Sequence, residues 1–128
     1  MTTLSALLAT TKAILQAHSL CSNVRVMETR EFSARQFFFK LRADLPEEYN
    51  LQVRLYYNQG HLDYAYQLFT QYPLLRWDNK EEFPDLDTYP HHHHDVHGNI
   101  ITSPLVGDPV NDLDVVLAEI TKYLSDRF

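Results

Sequence analysis

The residues able to do chemistry concentrate in one stretch, Leu75 to Pro104, which reads LRWDNKEEFPDLDTYPHHHHDVHGNIITSP and holds five of the seven histidines and the only tryptophan. Four of those histidines, His91 to His94, are consecutive. In an extended backbone successive side chains alternate, so His91 and His93 point to one side and His92 and His94 to the other. Each pair offers two imidazoles to a common target, and imidazole serves both as a general acid or base near neutral pH and as a zinc ligand. The second group is Arg76-Trp77-Asp78-Asn79, whose guanidinium is a planar fork matched to phosphate oxygens. One chemistry consistent with both groups is RNA cleavage, with one or two histidines exchanging protons and Arg76 stabilising a phosphorane-like charge. A metal centre is another, its further ligands drawn from His97, Asp95, Asp78 or Glu82. The spacing matches no closed zinc signature, however, and no metal or other cofactor is expected. The purely structural alternative has Asp78 and Asn79 bonding the turn backbone and Arg76 pairing with Asp78 or Asp85, and for Asp78 and Asn79 it is preferred over direct catalysis. Tyr56, Tyr64, Tyr66 and Tyr89 read as core or interface rather than base-stacking residues, because strand aromatics usually pack.

Two helices and an antiparallel sheet must position these groups. Leu4, Leu7, Leu8, Thr11, Ile14, Leu15 and His18 recur at helical spacing, which predicts an amphipathic helix over Thr2 to His18 with Thr2 or Thr3 as its cap. From Val24 the period changes to two. Val24 and Val26, then Phe37, Phe39, Leu41 and Ala43, predict two strands joined near Arg30 to Ala34, the second ended by Leu45-Pro46-Glu47-Glu48. Leu51, Val53, Leu55 and Tyr57 precede Asn58-Gln59-Gly60, and Leu62, Tyr64, Tyr66 and Leu68 follow it. This is a hairpin signal in which Gly60 supplies the positive φ of the turn. Gln71 to Trp77 continues that strand or kinks away from it at Pro73, and Asp78 to Tyr89 is a loop crossing the sheet. Ile100 to Thr102 suggests a short fifth strand. Leu113, Val116, Leu117, Ile120 and Leu124 predict a final helix starting between Asp108 and Asp112. The expected architecture is α+β, one domain over residues 1–128, with an N-terminal helix, an antiparallel meander of about five strands and a C-terminal helix. Both helices are expected on one face of the sheet, leaving its polar face open.

At 128 residues, 45% apolar and 22% charged, the chain is of the size and composition of one soluble core, and no apolar run approaches the roughly 20 residues that span a bilayer. Met1 to Leu20 lacks the basic start of a targeting segment and reads as a mature helix. The single cysteine, Cys21, permits no intrachain disulfide, so a cytoplasmic protein with an inert thiol is expected. A net charge of −6 gives no general attraction to nucleic acid. Any such contact must come from a local patch, for which Arg42, Arg54 and Arg76 are candidates if they share a face.

YAYQLF, LLRWDN, the spaced Pro84, TYPHHHH, ITSP and the leucine-rich final helix, in that order, resemble the TumE family of small prokaryotic proteins regarded as toxins of toxin–antitoxin pairs. The resemblance spans roughly Tyr64 to Ile120. The family pattern is a hairpin ending in Tyr-x-Tyr, then Arg-x-Asp-Asn, a loop with paired histidines before a proline, and Thr-Phe-Pro-His-His-x-His. On that resemblance Arg76, Asp78 and Asn79 stand in the first polar motif, and Thr88, Pro90, His91, His92 and His94 in the second. It makes Arg76, Asp78, Asn79, His91, His92 and His94 the candidate catalytic residues. It implies a cytoplasmic toxin acting on RNA or the translation machinery, held inactive by a cognate DNA-binding antitoxin, with no membrane association and with homo-oligomerisation left open. A non-catalytic partner-binding module of the same fold and a metal-dependent hydrolase or transferase using the His segment are the alternatives, so enzymatic activity is itself open. One departure stands out. Glu82-Phe83 occupies the place of the paired histidines before Pro84, which implies altered or lost activity if those histidines act chemically and tolerance if they only shape the loop.

Overall fold

The computed structural model describes residues 2–128; Met1, the first residue of the stretch read as lacking a targeting signal, lies outside the described residues. Helix α1 spans Leu4–Ala17, and Thr3 caps it by accepting the Ala6 N–H on its hydroxyl oxygen at 3.1 Å. Helix α2, Pro109–Ser125, begins with a proline whose missing N–H is no loss in a first turn. Before it, the Asp108 carboxylate accepts the N–H groups of Val110 and Asn111. Among the described residues no helix is long and apolar enough to cross a membrane.

Between the helices the chain folds into strands β1 (Ser22–Ser33), β2 (Gln36–Asp44), β3 (Asn50–Asn58), β4 (His61–Phe69), β5 (Pro73–Asp78), β6 (His92–His94) and β7 (Ile100–Thr102). They form one sheet in sequence order, each pairing antiparallel with the next. The β3–β4 turn is the two-residue kind anticipated from Asn58-Gln59-Gly60, with φ of 49° at Gln59 and 92° at Gly60. That left-handed pair matches the twist of the flanking strands.

Strand parity divides the sheet into two unlike faces. Phe37, Phe39, Leu41, Leu51, Val53, Leu55, Tyr64, Tyr66, Leu68, Leu75 and Trp77 form one core with Leu7 and Leu15 of α1 and Leu113, Val116, Leu117, Ile120 and Leu124 of α2. Both helices therefore lie on one face, as the alternation predicts, each fully buried large side chain contributing roughly 1.5–3 kcal/mol. Trp77 is completely buried there, its indole N–H satisfied by Glu119 Oε2 at 2.8 Å.

The sheet has seven strands where about five were expected. Pro73–Asp78 is not an extension of β4. The chain reverses at Thr70–Tyr72, where the Thr70 N–H donates to the Tyr72 carbonyl at 3.0 Å, and β5 runs back along β4. The histidine run itself becomes β6, paired residue for residue with Arg76, Trp77 and Asp78. Four identical side chains carry no apolar alternation, so a period-two reading has nothing to detect, and the strand exists because β5 offers its free edge. β1 runs on to Ser33, within the junction expected near Arg30 to Ala34, and has three register irregularities against β2.

Candidate functional site

On the uncovered face the register lines up residues far apart in sequence. One row across the sheet reads Glu28, Lys40, Arg54, Ala65, Asp78 and His92; the neighbouring row reads Arg42, Gln52, Gln67, Arg76 and His94. The two polar motifs thus meet at β5 and β6, with Asp78 opposite His92 and Arg76 opposite His94.

Asp78 is the centre of this group and is 5% exposed. Its Oδ2 accepts Arg76 Nε at 2.7 Å, and its Oδ1 accepts the Lys80 N–H at 3.0 Å, so it both pairs with Arg76 and bonds the turn, as the structural alternative proposed. His92 Nε2 lies 2.9 Å from Asp78 Oδ1, and His94 Nε2 lies 3.7 Å from Oδ2. The short His92 contact is an approach without hydrogen-bond alignment, which leaves this buried Nε2 without a hydrogen-bond partner. Nδ1 of the same ring is 3.2 Å from the Pro90 carbonyl, which can only accept, so Nδ1 carries a proton. His94 is the reachable imidazole of the two, its side chain about one-third exposed against 2% for His92. Burial pulls the His94 pKa below its usual value against the opposing attraction of Asp78, which favours the neutral ring. Arg76 extends towards the open face and also donates from Nη1 to Gln67 Oε1 at 2.8 Å, so its fork is held in place from two sides.

Three further motif residues lie elsewhere. His91 belongs to the covered side: its ring stacks on Tyr64, and Nδ1 is 2.6 Å from the Tyr64 hydroxyl. Burial raises the Tyr64 pKa and lowers that of His91, so the arrangement in which the hydroxyl donates to a neutral imidazole is the favoured one. Asn79 spends its amide on the backbone of β4, accepting the Tyr64 N–H at 3.0 Å and donating to the Leu62 carbonyl at 2.8 Å. Thr88 ties the loop down by donating to the His91 carbonyl at 2.7 Å and accepting the Ser103 N–H at 3.1 Å. The structure therefore brings together Arg76, Asp78, His92 and His94, and places Asn79 and His91 as supports behind them. His93, next to the cluster in sequence, faces the core, stacked on Trp77 at 4.7 Å between ring centres.

Residues that motif reading left aside complete the surroundings. Phe83, from the loop between β5 and β6, stands edge-on to His92 at 4.7 Å and to His94 at 6.4 Å. The position that departs from the family pattern is therefore in direct contact with the site rather than remote from it. Beside the cluster run two adjoining grooves of about 440 and 470 Å³ that share Arg54, Tyr56, Ala65 and Arg76. Arg30 and Lys40 line the first groove as well, so the three-arginine face anticipated from Arg42, Arg54 and Arg76 exists and is wider than expected. Among the described residues Arg54 has no carboxylate partner and lies over the Phe38 ring at 5.1 Å. No short motif marks Arg54 or Phe38; only the alternation of their strands, read together with the pairing, predicts that they share this face.

No curated protein and no solved structure matches the chain. A family model described as Toxin TumE matches residues 10–124, from within α1 to the last turns of α2, and so includes every residue of the β5–β6 cluster. The match covers most of the chain, well beyond the segment that carried the resemblance in sequence. The chain belongs to the TumE toxin family and is the toxin component of a toxin–antitoxin system.

Proposed function

We propose that this toxin acts on RNA, that the uncovered sheet face is its substrate surface, and that Arg76, Asp78, His92 and His94 form the reactive centre. The observation that carries the reading is the concentration of Arg30, Lys40, Arg42, Arg54 and Arg76 on one face of a chain whose net charge is −6. Such a face holds phosphates in spite of the acidic whole, because the field a ligand meets is local and screened beyond about 10 Å. Half-buried Tyr56, opposite Phe38 on the neighbouring strand, adds ring surface for an unstacked base between these cations. At the end of the groove Arg76 is positioned to bind a phosphodiester, with an imidazole–carboxylate group beside it to transfer a proton or polarise an oxygen. Asn79 and His91 hold the ends of β4 and β6 so that this geometry persists.

In this reading the protein works in the cytoplasm and is held inactive by a DNA-binding antitoxin that covers the same face. The test is expression in a host without the antitoxin. Growth arrest with degraded cellular RNA is expected, relieved by Arg76→Ala at unchanged protein level. Growth indifferent to the wild-type chain would instead favour a non-catalytic binding module, and arrest that survives Arg76→Ala would remove this face from the mechanism.

A further inference from the structure

We infer that Asp78, His92 and His94 together bind one divalent transition-metal ion of the zinc class. One donor atom from each residue lies within 4.8 Å of the other two, on one face of a single antiparallel strand pair. The decisive group is His92. Its ring is 2% exposed, its Nδ1 proton is committed to the Pro90 carbonyl, and its buried Nε2 lacks a hydrogen-bond partner although a carboxylate oxygen lies 2.9 Å away. In that tautomer Nε2 carries no proton and lies at contact distance from an Asp78 oxygen, so two electron-rich atoms repel unless a cation is shared by them. Donors around a tetrahedral zinc ion, with bonds of about 2.0–2.1 Å, are about 3.3 Å from one another. The 2.9 Å and 3.7 Å separations from Asp78 to His92 and His94 lie on either side of that value.

The surroundings are those of a supported ligand set. The Pro90 carbonyl fixes the His92 tautomer, and Arg76 Nε with the Lys80 N–H orients the Asp78 carboxylate. Phe83 covers the edges of both rings. Two imidazoles and one carboxylate suit a borderline cation better than magnesium or calcium, which take oxygen ligands. Because His94 lines an open groove with Gln67 and Arg76, the remaining coordination position would be turned towards that groove, where it would present a Lewis acid to a phosphate oxygen. For its biological use this rests on the RNA-directed reading above, since the residues are the same; for its measurement it does not.

The competing arrangement is a protonated His92 paired directly with Asp78, and titration of tag-free, chelator-stripped protein with zinc chloride alone separates the two. One equivalent of zinc is expected by calorimetry. His94→Ala, a partly exposed change that leaves the core intact, is expected to weaken binding at least about tenfold, whereas His93→Ala leaves it unchanged. Asp78→Asn should behave as His94→Ala does, with circular dichroism confirming that the variant is folded. Absence of zinc binding, or binding undiminished by His94→Ala, would overturn the site. Binding lost equally on replacing His93 or His97 would overturn it too, by tracing the metal to the histidine-rich segment at large. Failure to bind zinc together with intact growth arrest rejects the metal and leaves the RNA reading standing, while stoichiometric zinc without arrest supports the metal and rejects that reading.

Discussion

The two faces of the sheet are made by the same strands, and the histidine run shows how differently they treat one residue type. His91 and His93 face the helices, where each stacks on a buried aromatic ring, Tyr64 or Trp77, and the His93 Nδ1 proton goes to the Arg76 carbonyl at 3.0 Å. His92 and His94 face the other way, towards the Asp78 carboxylate, and His94 lines an open groove with Gln67 and Arg76. On the covered side the imidazoles act as flat, polar-edged packing units, each with its Nδ1 hydrogen-bonded. On the open side His92 is buried with one nitrogen unsatisfied, which costs stability unless a ligand completes it; the core Tyr66 hydroxyl carries the same cost on the covered side. Adjacent, chemically identical side chains are thus sent to opposite faces by strand parity alone, and on the proposed function substitutions that cross the parity should separate stability from toxicity.

The largest effect belongs to the covered side. Trp77→Ala empties a fully buried site under α2 and leaves Glu119 without its partner, so a loss of about 3–5 kcal/mol is expected in chemical denaturation. A loss under 1 kcal/mol would mean that this part of the sheet is not packed as described. Next comes Asp112, completely buried at the start of α2, whose two oxygens accept the Val106 and Gly107 N–H groups at 3.0 and 2.7 Å. Asp112→Ala strands both donors and should cost about 1–3 kcal/mol in the same measurement.

The sharpest comparison is between neighbours. His93→Ala should lower stability by about 1–2 kcal/mol through the lost stack and hydrogen bond while preserving growth arrest. His94→Ala should preserve the melting temperature and abolish the arrest. If both variants fall together in either assay, the division between faces is wrong. The smallest effect concerns Cys21, where burial pushes the thiol pKa up to about 11. The thiolate is the reactive form, so alkylation by iodoacetamide should stay slow at pH 8 and rise with pH up to that region. Rapid modification at pH 8 would show that the segment joining α1 to β1 opens readily.

Much of the fold was legible residue by residue. Leu4 through Leu15 and Leu113 through Leu124 declare helices by a 3.6-residue period, and the β3–β4 hairpin declares itself by alternation around Gln59-Gly60. The Arg76–Asp78 pair was also legible, because residues two apart on a strand share a face. Less was visible around β6. His92 to His94 carry no period, and the family motif that includes Thr88 does not say that it bonds both the His91 carbonyl and the Ser103 N–H. Phe83 could be singled out only as a departure from the family motif; its contact with His92 depends on where the loop between β5 and β6 comes to rest.

The sequence by itself determined the α+β class, the apolar face and its two covering helices, and the parity that sends His92 and His94 one way and His91 and His93 the other. These follow from local periods and strand geometry, which need no partner to be read. Tertiary structure alone decided which way was open, that β5 turns back along β4, and that the histidines lie against Asp78 rather than elsewhere on the loop. Those outcomes depend on register between segments distant in the chain. A slip of one residue between β5 and β6 would place His91 or His93 opposite Asp78 and remove the cluster, while changing no residue in either strand.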